Sequence, residues 1–552
     1  MKRTLSLPVL FGIPAAFFII IFFYIPLLTA FITLPQSGIE TTWQSVADFI
    51  SSEYFFSVLR FSLIQAALSS IFAVIVALPG AYLLAEHRFP GKGIIRSLAV
   101  IPFVLPPVLL VLGFILFYGN SGFVNEAFRS ITGDPDSGIR ILYTPLAVIF
   151  AHGVYNFPIA LRFIASAWEG IPKNTMESAK ILGARGFGLF RTMVLPSILP
   201  AIFSAASLIF LFCFTSFAVV LVLGGGPQVT TLEVEVYRFA RYQFDFKTAL
   251  TIGAFEIVIN IFIILLYQFF HSNQQQEGTS QGRKVEKTWK TTPGIEKALI
   301  LLYCAAVIVL LFGPIISVFA GSFFVPTTRG GPEVFSLENF TSLFRWGSEE
   351  LISIGNSVSI AFFASLLSIL VASGFAYYSE RAAKFKGNLL AVLSTFPLAV
   401  SSVFLGFSYF WLQRMFAVFP TRALITIAHA VIALPFCVRI LASSLKAVSP
   451  SLREAAATLG ARPWKVFKTI ELPLIRGGLI AAAVFAFALS AGELNASLML
   501  SSNRVPTIPI TIYRLIGAYR FAAAGALGVL LMTASAAAFY MIDRFSKKGG
   551  FF

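Results

Sequence analysis

Twelve long apolar runs constrain this chain more than any other feature. They lie near 9–33, 58–85, 98–118, 142–167, 198–223, 249–270, 298–324, 356–379, 389–413, 421–445, 476–500 and 522–543. A bilayer-spanning helix needs about 20 consecutive apolar residues, and every run meets that length. Inside hydrocarbon each backbone N–H and C=O must be paired, which leaves helices or closed barrels. The runs are continuously apolar and lack the alternation of barrel strands. The pattern predicts an all-α polytopic membrane protein with about twelve transmembrane helices. Composition agrees: 57% of residues are hydrophobic and 12% charged, about half the ~25% charge of a soluble domain. A soluble enzyme, a disordered chain and a fibrous protein are excluded. The first run follows Lys2 and Arg3, as a signal peptide would. Its apolar core is too long and has no clear small-residue cleavage site, so it is expected to be a retained first helix.

The net charge of +16 does not call for nucleic acid, because basic residues gather in the cytoplasmic loops of membrane proteins. Segment 35–57 carries Glu40, Asp48 and Glu53 and no Lys or Arg. Loop 86–97 carries Arg88, Lys92 and Arg96 against Glu86, and loop 446–475 carries Lys446, Arg453, Arg462, Lys465 and Lys468 against Glu454 and Glu471. Arg283, Lys284, Lys287, Lys290 and Lys297 outnumber the acids between runs six and seven. These segments share one side if both termini are cytoplasmic, which suits Lys547 and Lys548. Arg504, Arg514 and Arg520 depart from the bias. Cys213, Cys304 and Cys437 fall inside apolar runs and read as small hydrophobes.

The chain repeats itself. Ala151-His152, Pro158 and Arg162 recur as Ala428-His429, Pro435 and Arg439, 277 residues later. Glu177, Gly183-Ala184, Phe190 and Leu195-Pro196 recur at the same offset as Glu454, Gly460-Ala461, Phe467 and Leu472-Pro473. The Gln-, Ser- and Lys-rich stretch 271–297 reads as a cytoplasmic polar linker. It divides the chain into a first repeat, 1–270, and a second, 298–552. Each has six spans, so the repeats run parallel and are expected to pack about an axis along the membrane normal.

The longest shared pattern is a polar loop. It reads ESAKILGARGFGLFRTMVLP from Glu177 to Pro196 and EAAATLGARPWKVFKTIELP from Glu454 to Pro473. The residues predict a short helix, a break and a second short helix. Pro172 and Pro450 suit a first turn, Gly183 and Gly460 suit the left-handed residue that ends a helix, and Pro196 and Pro473 are expected to close the second piece. Such a knob fits a groove in a cytoplasmic protein, and two copies imply a dimeric partner.

This loop resembles the signature of permease subunits of binding-protein-dependent ABC importers. Both copies match it, with Ser178 in place of an alanine and Met193 in place of an isoleucine in the first. The resemblance covers essentially the whole chain, each half being similar to one permease unit of the type I importer kind. It implies a fused permease that docks two copies of an ATP-hydrolysing subunit through Glu177, Gly183 and Ala184 in one loop and Glu454, Gly460 and Ala461 in the other. It further implies an extracytoplasmic binding protein that delivers a small molecule to the inner membrane. ATP and Mg would be used by the partner alone. Cys213–Ala218, Leu223–Thr231, His152–Pro158, the Phe117-Tyr-Gly segment, Tyr513-Arg514 and Tyr519-Arg520 are similar to the fused permeases of thiamine importers. Ferric-iron permeases share the plan but are less close in the Gly-Gly-Gly-Pro-Gln segment.

Other chemistry is thin. There is no G-x-x-x-x-G-K-S/T phosphate loop, since Gly91-Lys92 is followed by Gly93 and lacks the earlier glycine. Four histidines and no Cys/His cluster leave no metal centre in view; His152 and His429 read as packing residues. No nucleophile–base set stands out, so no catalytic residue is assigned. Ionised residues within spans mark a candidate path, because each costs about 3 kcal/mol at the bilayer centre. Glu493 in run eleven is the clearest, followed by Glu256 with Asn260 one turn later. Thiamine is a cation, so a carboxylate with aromatic neighbours suits it; Tyr155, Phe214 and Phe217 are the candidate lining. Glu493 also fits a scaffold role in helix packing or gating. A secondary transporter shares the plan of twelve spans in two parallel halves, but the docking loops oppose it.

Overall fold

The computed structural model describes residues 7–34, 43–97, 105–226, 229–277, 287–289, 292–326, 333–381, 393–417, 419–501 and 505–546. Among these, eleven helices are long and apolar enough to cross a membrane, and a bent pair makes up to twelve. In chain order they are Leu7–Thr33 (α1), Glu53–Glu86 (α2), Pro107–Thr132 (α3), Pro145–Glu169 (α4), Gly186–Phe214 (α5), Phe246–Phe270 (α6), Gly294–Gly321 (α7) and Glu349–Arg381 (α8). The bent pair Leu393–Ala399 and Ser402–Phe416 (together α9) turns by 101°. Thr421–Lys446 (α10), Pro463–Ala491 (α11) and Phe521–Tyr540 (α12) follow. Among the described residues the regular structure is helical apart from two minimal strand pairs, His87–Arg88 with Lys287–Thr288 and Phe324–Pro326 with Glu333–Phe335.

Several expected boundaries move. Runs 198–223 and 476–500 are each broken rather than continuous. α5 ends at Phe214 and the short helix Ala218–Leu223 follows; α11 ends at Ala491 and Asn495–Leu500 follows. The helix of α6 continues to Glu277, into the stretch read as linker. Its glutamines and Glu277 are good helix formers once the chain leaves hydrocarbon. Residues 98–104 of run three, 389–392 of run nine and 278–286 and 290–291 of the linker lie outside the described residues. So do Glu40, Arg283, Lys284, Lys290, Arg504, Lys547, Lys548 and the Pro-Gln of the Gly-Gly-Gly-Pro-Gln segment.

Pro196 and Pro473 do not close a separate short helix, as the sequence suggests. Helix runs straight through both. A π-helical turn, Phe190–Val194 or Phe467–Glu471, ends two residues before each proline. The wider i→i+5 turn re-phases the hydrogen bonds where the proline has no N–H to give. α1 uses the same device: Ile20–Tyr24 is π-helical and Pro26 follows.

The helices form two compact units. One comprises residues 47–235 and 255–321. In it α2, α4 and α5 pack on one another, and α7 packs on α3. Small residues permit close backbone approach between helices: a Cβ on Gly113 would lie 2.7 Å from the Pro314 carbonyl oxygen. The other unit comprises residues 1–46, 236–254 and 322–552. Here α8, α10 and α11 pack together, α12 packs on α11, and α1 lies along α8. A Cβ on Gly12 would run into the Tyr378 ring. The first span of each sequence repeat therefore packs with helices of the other repeat. Repeat order and packing unit divide the chain differently, because the apolar faces that meet need not be adjacent in sequence.

Candidate functional site

The two polar loops adopt one geometry. In the first, Pro172 precedes the helix Lys173–Ile181, Gly183 has φ +89°, and the chain restarts as helix at Gly186. In the second, the helix Pro450–Thr458 is followed by Gly460 at φ +79°, and helix resumes at Pro463. Each first helix closes with the same pair of hydrogen bonds. Ala184 N donates to Ala179 O at 3.0 Å and Gly183 N to Lys180 O at 3.1 Å. Ala461 N donates to Ala456 O at 3.0 Å and Gly460 N to Ala457 O at 2.9 Å. This is the glycine-based stop that satisfies the last carbonyls of a helix. The Gly-Ala pair is thereby explained: glycine takes the left-handed turn and alanine donates the outer bond. Glu177 and Glu454 are exposed on the helices that lead into it.

Sequence reasoning missed what the loops display. Leu182 is 87% exposed and its repeat partner Leu459 is 88% exposed. Ile181, Phe187 and Trp464 are exposed beside them. Burying one such side chain is worth about 1.5–3 kcal/mol, so the loops hold apolar side chains that the chain itself leaves uncovered. The signal was present as a leucine before each Gly-Ala, but apolar residues at a helix end read equally as packing.

The second loop is tied down by charge. Glu471 is buried in the π-turn, with Arg381 Nε 3.0 Å from its carboxylate and Arg453 Nε at 3.9 Å. Arg381 also donates to Leu445 O at 3.1 Å, which joins the ends of α8, α10 and α11. The position that matches Glu471 in the first repeat is Val194, buried and apolar. That end of the chain uses Trp168, whose indole N–H donates to Glu86 at 3.1 Å, and an Arg96–Glu169 pair.

The broken spans carry the second constellation. His152 in α4 reaches the break after α5. Gln65 of α2 donates through Nε2 to Cys213 O at 2.9 Å, which leaves its Oε1 as acceptor for His152 Nδ1 at 3.1 Å. His152 Nε2 then accepts from Ser216 Oγ at 2.8 Å. In the second repeat His429 contacts Ser490 Oγ at 2.7 Å through Nδ1 and Ser497 Oγ at 2.8 Å through Nε2. Where the first repeat has Ser216, the second has Glu493, with Oε2 3.3 Å from His429 Nε2. The Glu493 carboxylate also caps the short helix after the break. It accepts from Asn495 N at 3.0 Å, Ala496 N at 3.2 Å and Ser497 N at 3.2 Å. A matched pair of serines was likewise not foreseen: Ser62 Oγ accepts from Leu232 N at 3.0 Å, and Ser357 Oγ accepts from Ile508 N at 2.7 Å.

The other path candidates are placed as follows. Phe214 and Phe217 are fully buried on either side of the first break. Tyr155 spends its hydroxyl on Leu105 O at 2.7 Å. Glu256 and Asn260 are buried one turn apart on α6. Phe214, Phe217, Tyr155, Glu256 and Asn260 belong to one unit and Glu493 to the other.

Comparison with known proteins decides the family. Residues 77–275 and 339–548 each match the binding-protein-dependent transport system inner membrane component. The chain belongs to this permease family. It is a multi-pass inner-membrane transport subunit without an ATPase domain, from a family whose members work with an ABC ATPase and a binding protein. The permease is 25% identical over 535 residues to the thiamine transport system permease protein ThiP of Salmonella typhimurium, covering 94% of this chain and 93% of that protein. It is 29% identical over 502 residues to ThiP of Brucella abortus, covering 89% and 88%. The ferric transport system permease protein FbpB of Actinobacillus pleuropneumoniae is 25% identical over 502 residues, covering 89% of this chain and 72% of that protein.

Proposed function

We propose that this permease imports thiamine or a closely related small compound. The similarity to ThiP proteins over nearly the whole of both chains supports that substrate; the ferric permease aligns over less of its length. An extracytoplasmic binding protein releases the ligand to the outer face, and two copies of a cytoplasmic ABC ATPase dock on the loops at Glu177–Ala184 and Glu454–Ala461. Both termini are cytoplasmic in this reading, as the basic loops favour. The observation that carries the coupling role is the paired leucine, Leu182 and Leu459, nearly fully exposed at the same point of each repeat. ATP binding draws the ATPases together, the loops transmit that movement to the spans that follow them, and the path opens to alternate sides. Because π-turns keep helix continuous from Gly186 through α5 and from Pro463 through α11, movement of the second half of each loop is carried directly into its span.

Glu256, Asn260, Tyr155, Phe214 and Phe217 are proposed to border the substrate path. Glu493 is proposed to organise the broken span, since its two oxygens are already engaged by three amides and His429. The test is uptake by proteoliposomes that hold the complete transporter and its binding protein. Labelled thiamine should accumulate in an ATP-dependent manner, and ferric iron should not. Iron accumulation without thiamine would transfer the assignment to the iron class, and uptake without an ATPase would remove the coupling reading.

A further inference from the structure

A cavity of about 410 Å³ lies between the end of α2 and the beginning of α7. Both helices belong to the unit that comprises residues 47–235 and 255–321. Tyr82 and Leu83 line one side, and Leu299, Leu302 and Ala306 line the other. Leu299 and Leu302 are themselves 58% and 67% exposed, so the cavity opens sideways, where hydrocarbon would lie. From Glu296 to Ala306 the α7 wall runs about 15 Å along the helix axis, at 1.5 Å per residue. That is a slot with the length and chemistry of an acyl chain.

Its end is different in character. His87, 1% exposed, closes the slot with Nε2 3.1 Å from Glu296 Oε2. The other ring nitrogen, Nδ1, is buried and has no hydrogen-bond partner. Cations gather at the same place. Lys92 Nζ is 3.1 Å from His87 O, Arg88 follows His87 in the chain, and Lys297 stands over the Trp289 ring at 5.7 Å. Trp289 and Tyr82 supply the amphipathic rings that favour the level of lipid headgroups.

We propose that this cavity is a binding site for one anionic phospholipid. An acyl chain fills the slot between α2 and α7. The phosphodiester sits at its end, where Arg88, Lys92 and Lys297 supply the field. The site differs from both the docking loops and the broken spans.

The test is native mass spectrometry of the delipidated full chain in detergent, titrated with phosphatidylglycerol, with phosphatidylcholine of the same chains, or with glycerol phosphate alone. One phosphatidylglycerol should bind about tenfold more tightly than phosphatidylcholine, and glycerol phosphate should not bind. Ala306→Trp fills the slot and should abolish the adduct. Arg88→Ala, Lys92→Ala and Lys297→Ala together should erase the preference while retaining weak binding of both lipids. Leu302→Trp serves as a second slot-filling variant should Ala306→Trp not fold, with thermal unfolding as the check. Equal binding of the two lipids, or an unchanged phosphatidylglycerol adduct in a folded slot-filling variant, overturns the proposal.

Discussion

Replacing Glu493 with alanine removes one carboxylate that serves four partners. Three are the backbone N–H groups of Asn495, Ala496 and Ser497, at 3.0–3.2 Å, and the fourth is His429 at 3.3 Å. Losing a side-chain cap costs about 1 kcal/mol. Hydrogen bonds to a charged acceptor are worth about 1.5–3 kcal/mol each, but three amides sharing two oxygens do not add in full. Glu493 is 9% exposed, so little water can replace it. Glu493→Ala should therefore destabilise the permease by about 3 kcal/mol. Glu493→Gln keeps one acceptor oxygen and should lose about half of that. Glu493→Ser copies the first repeat, where Ser216 satisfies His152 and the short helix Ala218–Leu223 begins without a side-chain cap. It should fall between alanine and glutamine. The assay is thermal unfolding of the purified chain in detergent, run beside ATP-dependent uptake. In a positioning role, uptake declines in step with stability across the three variants. Full stability in Glu493→Ala with abolished uptake would refute the reasoning and make the carboxylate a substrate contact.

Leu182→Asp combined with Leu459→Asp should leave thermal stability within about 0.5 kcal/mol, since both side chains are exposed. It should weaken ATPase capture by about a hundredfold or more, read by co-purification, because two anchors of about 1.5–3 kcal/mol each are lost. Glu471→Ala leaves Arg381, whose side chain is 11% exposed, without its counter-charge and should cost about 3 kcal/mol; adding Arg381→Met should recover part of that in thermal unfolding. Gly113→Val places atoms inside the Pro314 carbonyl and should separate α3 from α7, lowering stability by about 1–3 kcal/mol.

Much of this permease was written in its sequence, for reasons that are local. A run of 20 apolar residues can only be a span in lipid, so the number of helices followed from composition along the chain. The glycines at 183 and 460 could be read because only a left-handed residue ends a helix that way, and both have positive φ. The 277-residue offset marked the paired loops before any coordinates. The tertiary structure alone decided the rest. The breaks at Ser216 and Glu493 were hidden within apolar runs, because whether a helix continues there depends on His152 and His429 arriving from α4 and α10. The prolines at 196 and 473 looked like stops, since a π-turn that bypasses a missing N–H leaves no composition signal. The pairing of α1 with α8 and of α7 with α3 was also beyond the sequence. Every span is apolar on much of its surface, so hydropathy says that a helix enters the bilayer but not which neighbour it meets. That choice rests on shape, on glycines such as Gly12 and Gly113 opposite Tyr378 and Pro314, and shape exists only once the chain is folded.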